Sequence, residues 1–133
     1  MKKTIAQQLN IKSFPFEIKD VNGNRVYFEN SKGYWYKREY DDNGKCIYSE
    51  DSTGYWSKSK YDTNGLEVYY EDSTGYWYKR EYGDNGKCIY FEDSTGYWGK
   101  RQYDEKGNQV YFEDSYGTIE DNRPKQTVEI TLD

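Results

Sequence analysis

The chain has 133 residues and a formal charge of −5, with 34% apolar, 20% aromatic and 32% charged residues. That length fits one domain, and the interspersed, slightly acidic charge lacks the basic face a general nucleic-acid binder needs to displace counterions. Leu occurs only at positions 9, 66 and 132 and Ala only at 6, against 17 Tyr, so an aliphatic core is excluded and whatever packs must pack with rings.

The N-terminal stretch Lys2-Lys3-Thr4-Ile5-Ala6 begins like a signal peptide, but Gln7, Gln8 and Asn10 break the apolar run. The expectation is a short helix within residues 2–9, forming a cap over residues 1–13 of a cytoplasmic protein. No stretch is long enough to span a membrane.

From residue 14 to about 120 a 21-residue unit takes over. Gly-Tyr-Trp recurs at Gly33-Tyr34-Trp35, Gly54-Tyr55-Trp56, Gly75-Tyr76-Trp77 and Gly96-Tyr97-Trp98, and a second marker runs Tyr40…Gly44, Tyr61…Gly65, Tyr82…Gly86, Tyr103…Gly107. A period of this size means repeated supersecondary units. Each unit holds two alternating runs, such as residues 34–40 and 45–50, separated by Asp41-Asp42-Asn43-Gly44 and Asp51-Ser52-Thr53-Gly54. Alternation reads as strands, and the Asp/Asn/Ser/Gly clusters as tight turns. The fold class is therefore all-β: an antiparallel β-meander of about ten strands, with residues 127–132 (TVEITL) in the tail 121–133 as a further edge-strand candidate.

Side chains alternate with period two, and 21 is odd. Equivalent residues then share a face if one loop is odd and the other even, here a three-residue loop after Asp41 and a four-residue loop at residues 51–54. This register expects Trp35, Lys37, Glu39, Ile47 and Ser49 on one face, and Tyr34, Tyr36, Arg38, Tyr40, Cys46, Tyr48 and Glu50 on the other. Neither face is a clean core. That favours an open or spiralling single sheet over a closed barrel, which would enclose lysines, or a hairpin solenoid.

With no His, His-based triads and His metal sites are excluded, and no G-x-S-x-G, P-loop or C-x-x-C is present. The Asp-x-Asn-Gly turns lack the spacing and terminal Glu of a calcium loop. Cys46 and Cys88 sit two repeats apart, roughly 19 Å across such a sheet, and are expected as free thiols. The acidic pairs Glu50-Asp51, Glu71-Asp72 and Glu92-Asp93 recur at turn entries, where Asp supports the turn. They also form a candidate acidic rail for a basic partner surface. Trp35, Trp56, Trp77 and Trp98 complete the candidate binding surface, since aromatic residues dominate interface energetics.

The spacing in Tyr40-Asp41…Gly44, Tyr61-Asp62…Gly65 and Tyr103-Asp104…Gly107 resembles the YD repeat of RHS and teneurin-like proteins over about residues 19–117, with Gly83 replacing the Asp in the third repeat. The resemblance implies a β-hairpin array. In that family long arrays spiral into a shell around a toxin, and short arrays are similar to uncharacterised proteins of bacteria, phages and mobile elements. A more distant likeness is to choline- and glucan-binding hairpin repeats, whose aromatics hold ligands. The leading expectation is a non-enzymatic protein-binding chain without cofactor, such as a small phage or mobile-element inhibitor. A carbohydrate or cell-wall binder and a self-assembling RHS-like fragment are the alternatives, with homo-oligomerisation through sheet edges a further expectation.

Overall fold

The computed structural model describes residues 2–125 and 127–132; Met1, Gln126 and Asp133 lie outside them. Two compact units are formed, Met1–Lys79 and Arg80–Asp133. The first holds helix α1 (Ile5–Gln8), strands β1 (Phe16–Lys19), β2 (Arg25–Glu29), β3 (Trp35–Tyr40), β4 (Cys46–Asp51), β5 (Trp56–Tyr61) and β6 (Glu67–Asp72), and the start of β7 (Trp77–Tyr82). The second holds the rest of β7 with β8 (Cys88–Asp93), β9 (Trp98–Tyr103), β10 (Gln109–Asp114) and β11 (Ile119–Asp121). Among the described residues these eleven strands form one open sheet whose spatial order follows the chain from β1 to β11. The all-β meander thus stands, with its ten strands ending at Asp114 and an eleventh at Ile119–Asp121, while residues 127–132 form no strand.

Both kinds of hairpin close in the same way. Asp41 N–H donates to the Lys45 carbonyl and Gly44 N–H to the Asp41 carbonyl; Asp51 N–H donates to Tyr55 and Gly54 N–H to Asp51 in the same pattern. Each is therefore a three-residue loop whose Gly takes a positive φ, 81° at Gly44 and 91° at Gly54. The four-residue loop expected at residues 51–54 is not formed. The odd residue of the 21 lies inside a strand instead. Glu39 pairs with Tyr48 but Tyr40 pairs with Cys46, which leaves Ile47 as a bulge; Val26, Val68 and Val110 are the extra residues at the matching shifts. A Cβ at Gly54 would meet nothing within 4 Å. Gly54→Ala should therefore cost only the left-handed backbone penalty, about 1–2 kcal/mol, read as a lower denaturant midpoint with unchanged slope.

The repeated spacing of tyrosine and aspartate along the chain follows from this geometry. A bulge leaves ladder groups without their normal partners. The Tyr40 hydroxyl donates to the Arg25 carbonyl, Tyr61 to Cys46 and Tyr103 to Cys88, each at the residue before a bulged position or its equivalent fifteen residues earlier. The following Asp serves the turn: Asp41 Oδ1 accepts from Asn43 and Lys45 N–H at 2.9 Å. Where Gly83 replaces the Asp, the Asn85 side chain accepts from Lys87 N–H instead and the loop still closes. Each tyrosine thus ties one hairpin to the hairpin before it. Tyr61→Phe should remove one such bond, orphan the Cys46 carbonyl and cost about 1 kcal/mol in a denaturant titration.

Little of this sheet is dry. Among the described residues the buried large side chains are Tyr27 and Glu29 on β2, with Ala6 of α1 over them. Thr4 caps α1 through a reciprocal box with Gln7. At four residues the helix is too short to hold itself and depends on what it docks against.

Candidate functional site

The pairing register fixes what shares a face. Glu29 lies opposite Trp35, Glu50 opposite Trp56, Glu71 opposite Trp77 and Glu92 opposite Trp98. Tyr27, Tyr48, Tyr69 and Tyr90 lie opposite Lys37, Lys58, Lys79 and Lys100. The tryptophan face therefore carries Trp, Lys, Tyr and Glu in a repeating cell. This corrects the expected sorting, which put Tyr48 and Glu50 with the other face and Ile47 and Ser49 with Trp35. The bulge at Ile47 and the equal loops shift the returning strand by one residue, which exchanges its faces.

Within a cell the groups satisfy one another. Lys37, Lys58, Lys79 and Lys100 each hold their ammonium 5.2–5.4 Å from the ring centre of their own unit's Trp. Lys37 Nζ also lies 3.5 Å from Glu50, and Lys100 Nζ 3.8 Å from Glu113. The Tyr48 hydroxyl donates to Glu50 at 3.2 Å. Burial, reinforced by the adjacent carboxylate, raises the tyrosine pKa at Tyr48, Tyr69, Tyr90 and Tyr111. All four tryptophans are half-buried.

The paired aspartates do a different job. Asp51 Oδ1 accepts from the Thr53 N–H and hydroxyl, and Asp72 and Asp93 hold Thr74 and Thr95 alike. The Thr hydrogen bond holds the Asp51 and Asp72 carboxyls below their ordinary pKa. Ser52 binds the backbone of Trp35 both ways, and Ser73 and Ser115 do so for Trp56 and Trp98. The structure thus separates each acidic pair, Glu onto the tryptophan face and Asp into the turn.

One cell is different. Counting back 21 residues from Lys37 gives Phe16, so Glu29 faces an aromatic ring where later cells have a cation. Its carboxylate accepts the Thr4 hydroxyl at 2.8 Å, the Ala6 N–H at 3.2 Å and the Tyr27 hydroxyl at 2.7 Å. Tyr27 is stacked on Trp35 and meets Phe16 edge-on. Burial and the Glu29 contact push the Tyr27 phenol well above its normal range. The chain's own N-terminal segment is therefore held on the tryptophan face, an arrangement sequence reasoning missed; the Lys-to-Phe exchange at position 16 was its signal.

The opposite face is a ring ladder. Phe28 stacks on Tyr36 and Tyr70 on Tyr78, with Arg38 over Tyr36 at 4.3 Å in the first unit; Arg80 lies over Phe91 and Arg101 over Phe112 in the second. Cys46 and Cys88 are free thiols, each near the carbonyl two residues on. Among the described residues no group of three Cys, Asp or Glu could hold a metal ion, and no helix is long and apolar enough to cross a membrane.

No family model matches the chain, and no curated protein matches its sequence. Solved structures do match its fold. The TcdB2-TccC3 crystal structure superposes with a TM-score of 0.61 at 14% identity when determined with TEV, and 0.60 when determined with Cdc42. The Photorhabdus luminescens Tc holotoxin pore gives 0.61 at 14% identity. Each match covers 86% of this chain but only 6% of the other. The fold is thus a repeated β-meander like that found within these TcdB2-TccC3 and Tc holotoxin structures, and this chain spans a small fraction of their length.

Proposed function

We propose that this chain is a non-enzymatic binding protein whose tryptophan face takes a polypeptide segment of a partner protein. The observation that supports the reading is the docking of residues 4–6 on Glu29, an intrachain contact in which a hydroxyl and a backbone N–H meet a carboxylate flanked by Tyr and Trp. The cells Tyr48-Glu50-Trp56, Tyr69-Glu71-Trp77 and Tyr90-Glu92-Trp98 repeat those residue types. A partner engaging Glu50 has to displace Lys37, which favours a segment rich in donors or cations, a basic surface above all. The small-inhibitor role rests on this reading. A sugar would need the ring faces over which lysine ammoniums already lie, so the carbohydrate alternative has less support.

The test compares capture from a bacterial lysate by the immobilised wild-type chain and by the Glu71→Lys and Trp77→Ala variants, each first shown to be folded by circular dichroism. A protein held stoichiometrically by the wild type and lost from both variants is expected. Recovery that is equal on all three, or no stoichiometric partner, would reject the reading.

A further inference from the structure

Most cations of this chain are engaged. Arg25 and Arg123 pair with Glu17 and Asp121, and Arg38, Arg80 and Arg101 lie over rings. Lys19 pairs with Glu17, and the ammoniums of Lys37, Lys45, Lys58, Lys60, Lys79, Lys87 and Lys100 stand 5.0–6.0 Å from ring centres. Among the described residues, Lys2, Lys3, Lys12, Lys32, Lys106 and Lys125 are in no ion pair and over no ring. The first four line a single hollow of about 780 Å³ beside α1, and no Asp or Glu lines it.

Two parts of the chain build this hollow. Helix α1 is closed by Asn10, whose φ of 56° is left-handed. The Asn10 N–H donates to the Gln7 carbonyl and the Ile11 N–H to that of Ala6, so the chain turns back and Lys12 returns beside Lys2 and Lys3. Lys32 comes from the turn between β2 and β3. That turn reads Asn30-Ser31-Lys32-Gly33 where the later ones read Asp51-Ser52-Thr53-Gly54, Asp72-Ser73-Thr74-Gly75 and Asp93-Ser94-Thr95-Gly96. Asn stands for Asp and Lys for Thr, and each exchange raises the charge of the turn by one. The turn itself does not need them: Asn30 Oδ1 accepts the Lys32 and Tyr34 N–H groups at 2.9 and 3.1 Å, as Asp41 does in its own loop. Two carboxylates lie close by and both are held. Glu29 is buried under three donors, and Glu50, which lines the adjoining hollow with Lys2 and Lys3, has Lys37.

We propose that this hollow binds the phosphate groups of a small polyphosphate. Four ammoniums with no carboxylate among them leave a local charge that an anion of several charges offsets. Lysine ammoniums act as point charges on phosphate oxygens, whereas planar carboxylates are held best by the arginine fork, and no arginine lines the hollow. The side-chain amides of Gln7 and Asn10 line it as well and add neutral donors. A nucleobase is not part of the assignment, because Trp35, the ring of the adjoining hollow, already has Tyr27 stacked on it and Lys37 at 5.3 Å. The site uses neither Glu71 nor Trp77, so its failure is separable from that of the binding role.

Isothermal titration calorimetry of the full chain with sodium tripolyphosphate at low ionic strength tests it. One ion per chain is expected, bound at least about tenfold more tightly than inorganic phosphate, and its addition should raise the thermal unfolding midpoint. Lys12→Gln combined with Lys32→Gln should weaken tripolyphosphate binding by about tenfold or more. Lys106→Gln combined with Lys125→Gln removes the same charge from the two unengaged lysines outside the hollow, and should change the affinity by less than about twofold. All four side chains are exposed, so both double variants are expected to fold as the wild type does, which circular dichroism checks. Equal losses in the two variants, inorganic phosphate bound as tightly as tripolyphosphate, or no binding by the wild type would each overturn the proposal. So would adenosine triphosphate bound more than about tenfold tighter than tripolyphosphate, since the main contact would then lie with the base.

Discussion

Glu29→Ala should detach the N-terminal segment and cost about 3 kcal/mol of stability, the largest single-residue effect expected in this chain. Glu29 is only 2% exposed and takes three donors. Removing it leaves the Tyr27 hydroxyl and the Ala6 N–H buried without an acceptor, and each orphaned group costs about 1–3 kcal/mol. The Ile5 amide of α1 also reaches the Tyr27 hydroxyl, which Glu29 itself holds, so the amides of the four-residue helix should lose protection from hydrogen exchange while those of β4 to β6 keep theirs. Glu29→Gln keeps an acceptor and loses the charge, and should fall near half the alanine loss. The control is Glu50→Ala, the same residue type in the next cell. Its partners are the half-exposed Lys37 and the Tyr48 hydroxyl at 3.2 Å, which is less buried than Tyr27, so the loss there should stay within about 1–1.5 kcal/mol. Equal losses at Glu29 and Glu50 in a denaturant titration would mean that α1 is not held by Glu29.

The contrast between these two glutamates also marks how far the sequence could be read. The hairpins were legible because their determinants are local. Gly44 and Gly54 need a left-handed backbone, and Asp41 and Asp51 accept N–H groups within four residues. The strand order follows, since loops this short leave consecutive strands no choice but to pair. Face assignment failed because it depends on a one-residue sum, and a bulge is a non-local feature that looks like ordinary strand sequence. Its trace is chemical: Val26, Ile47, Val68 and Val110 are all β-branched and lie in one 21-residue register, with Ile89 filling the step between Val68 and Val110. Glu50 and Trp56 are both binding candidates by residue type, but simple alternation puts them on opposite faces, whereas the bulge makes them direct cross-strand partners. The docking of α1 was hidden for another reason. It joins residues 25 apart through a carboxylate that reads like every other Glu of the repeat, and only Phe16 in the lysine position sets it apart.

A fold built from tyrosine should fail in alkali before it fails in mild acid. Burial, the leading cause in each case, raises the phenol pKa at Tyr27, Tyr48, Tyr61, Tyr69, Tyr70, Tyr90 and Tyr111. At five of these a glutamate two residues on adds to it, as Glu29 does for Tyr27 and Glu50 for Tyr48. In the unfolded chain these phenols titrate near their free value of about 10. Above that pH the unfolded state has lost protons that the folded state still holds, so fewer protons are bound on unfolding and stability falls as pH rises. Below it both states are protonated and the contribution is fully present. The denaturant midpoint should therefore be level up to about pH 9 and then drop steeply, because the effect repeats in successive units. Tyrosinate absorbance should rise together with the loss of β circular dichroism, since ionising a phenol beside Glu50 or Glu71 places two negative charges on one face of the sheet. A midpoint unchanged at about pH 11, or phenols that ionise fully while the sheet persists, would show that the tyrosine–glutamate rows do not hold the fold together.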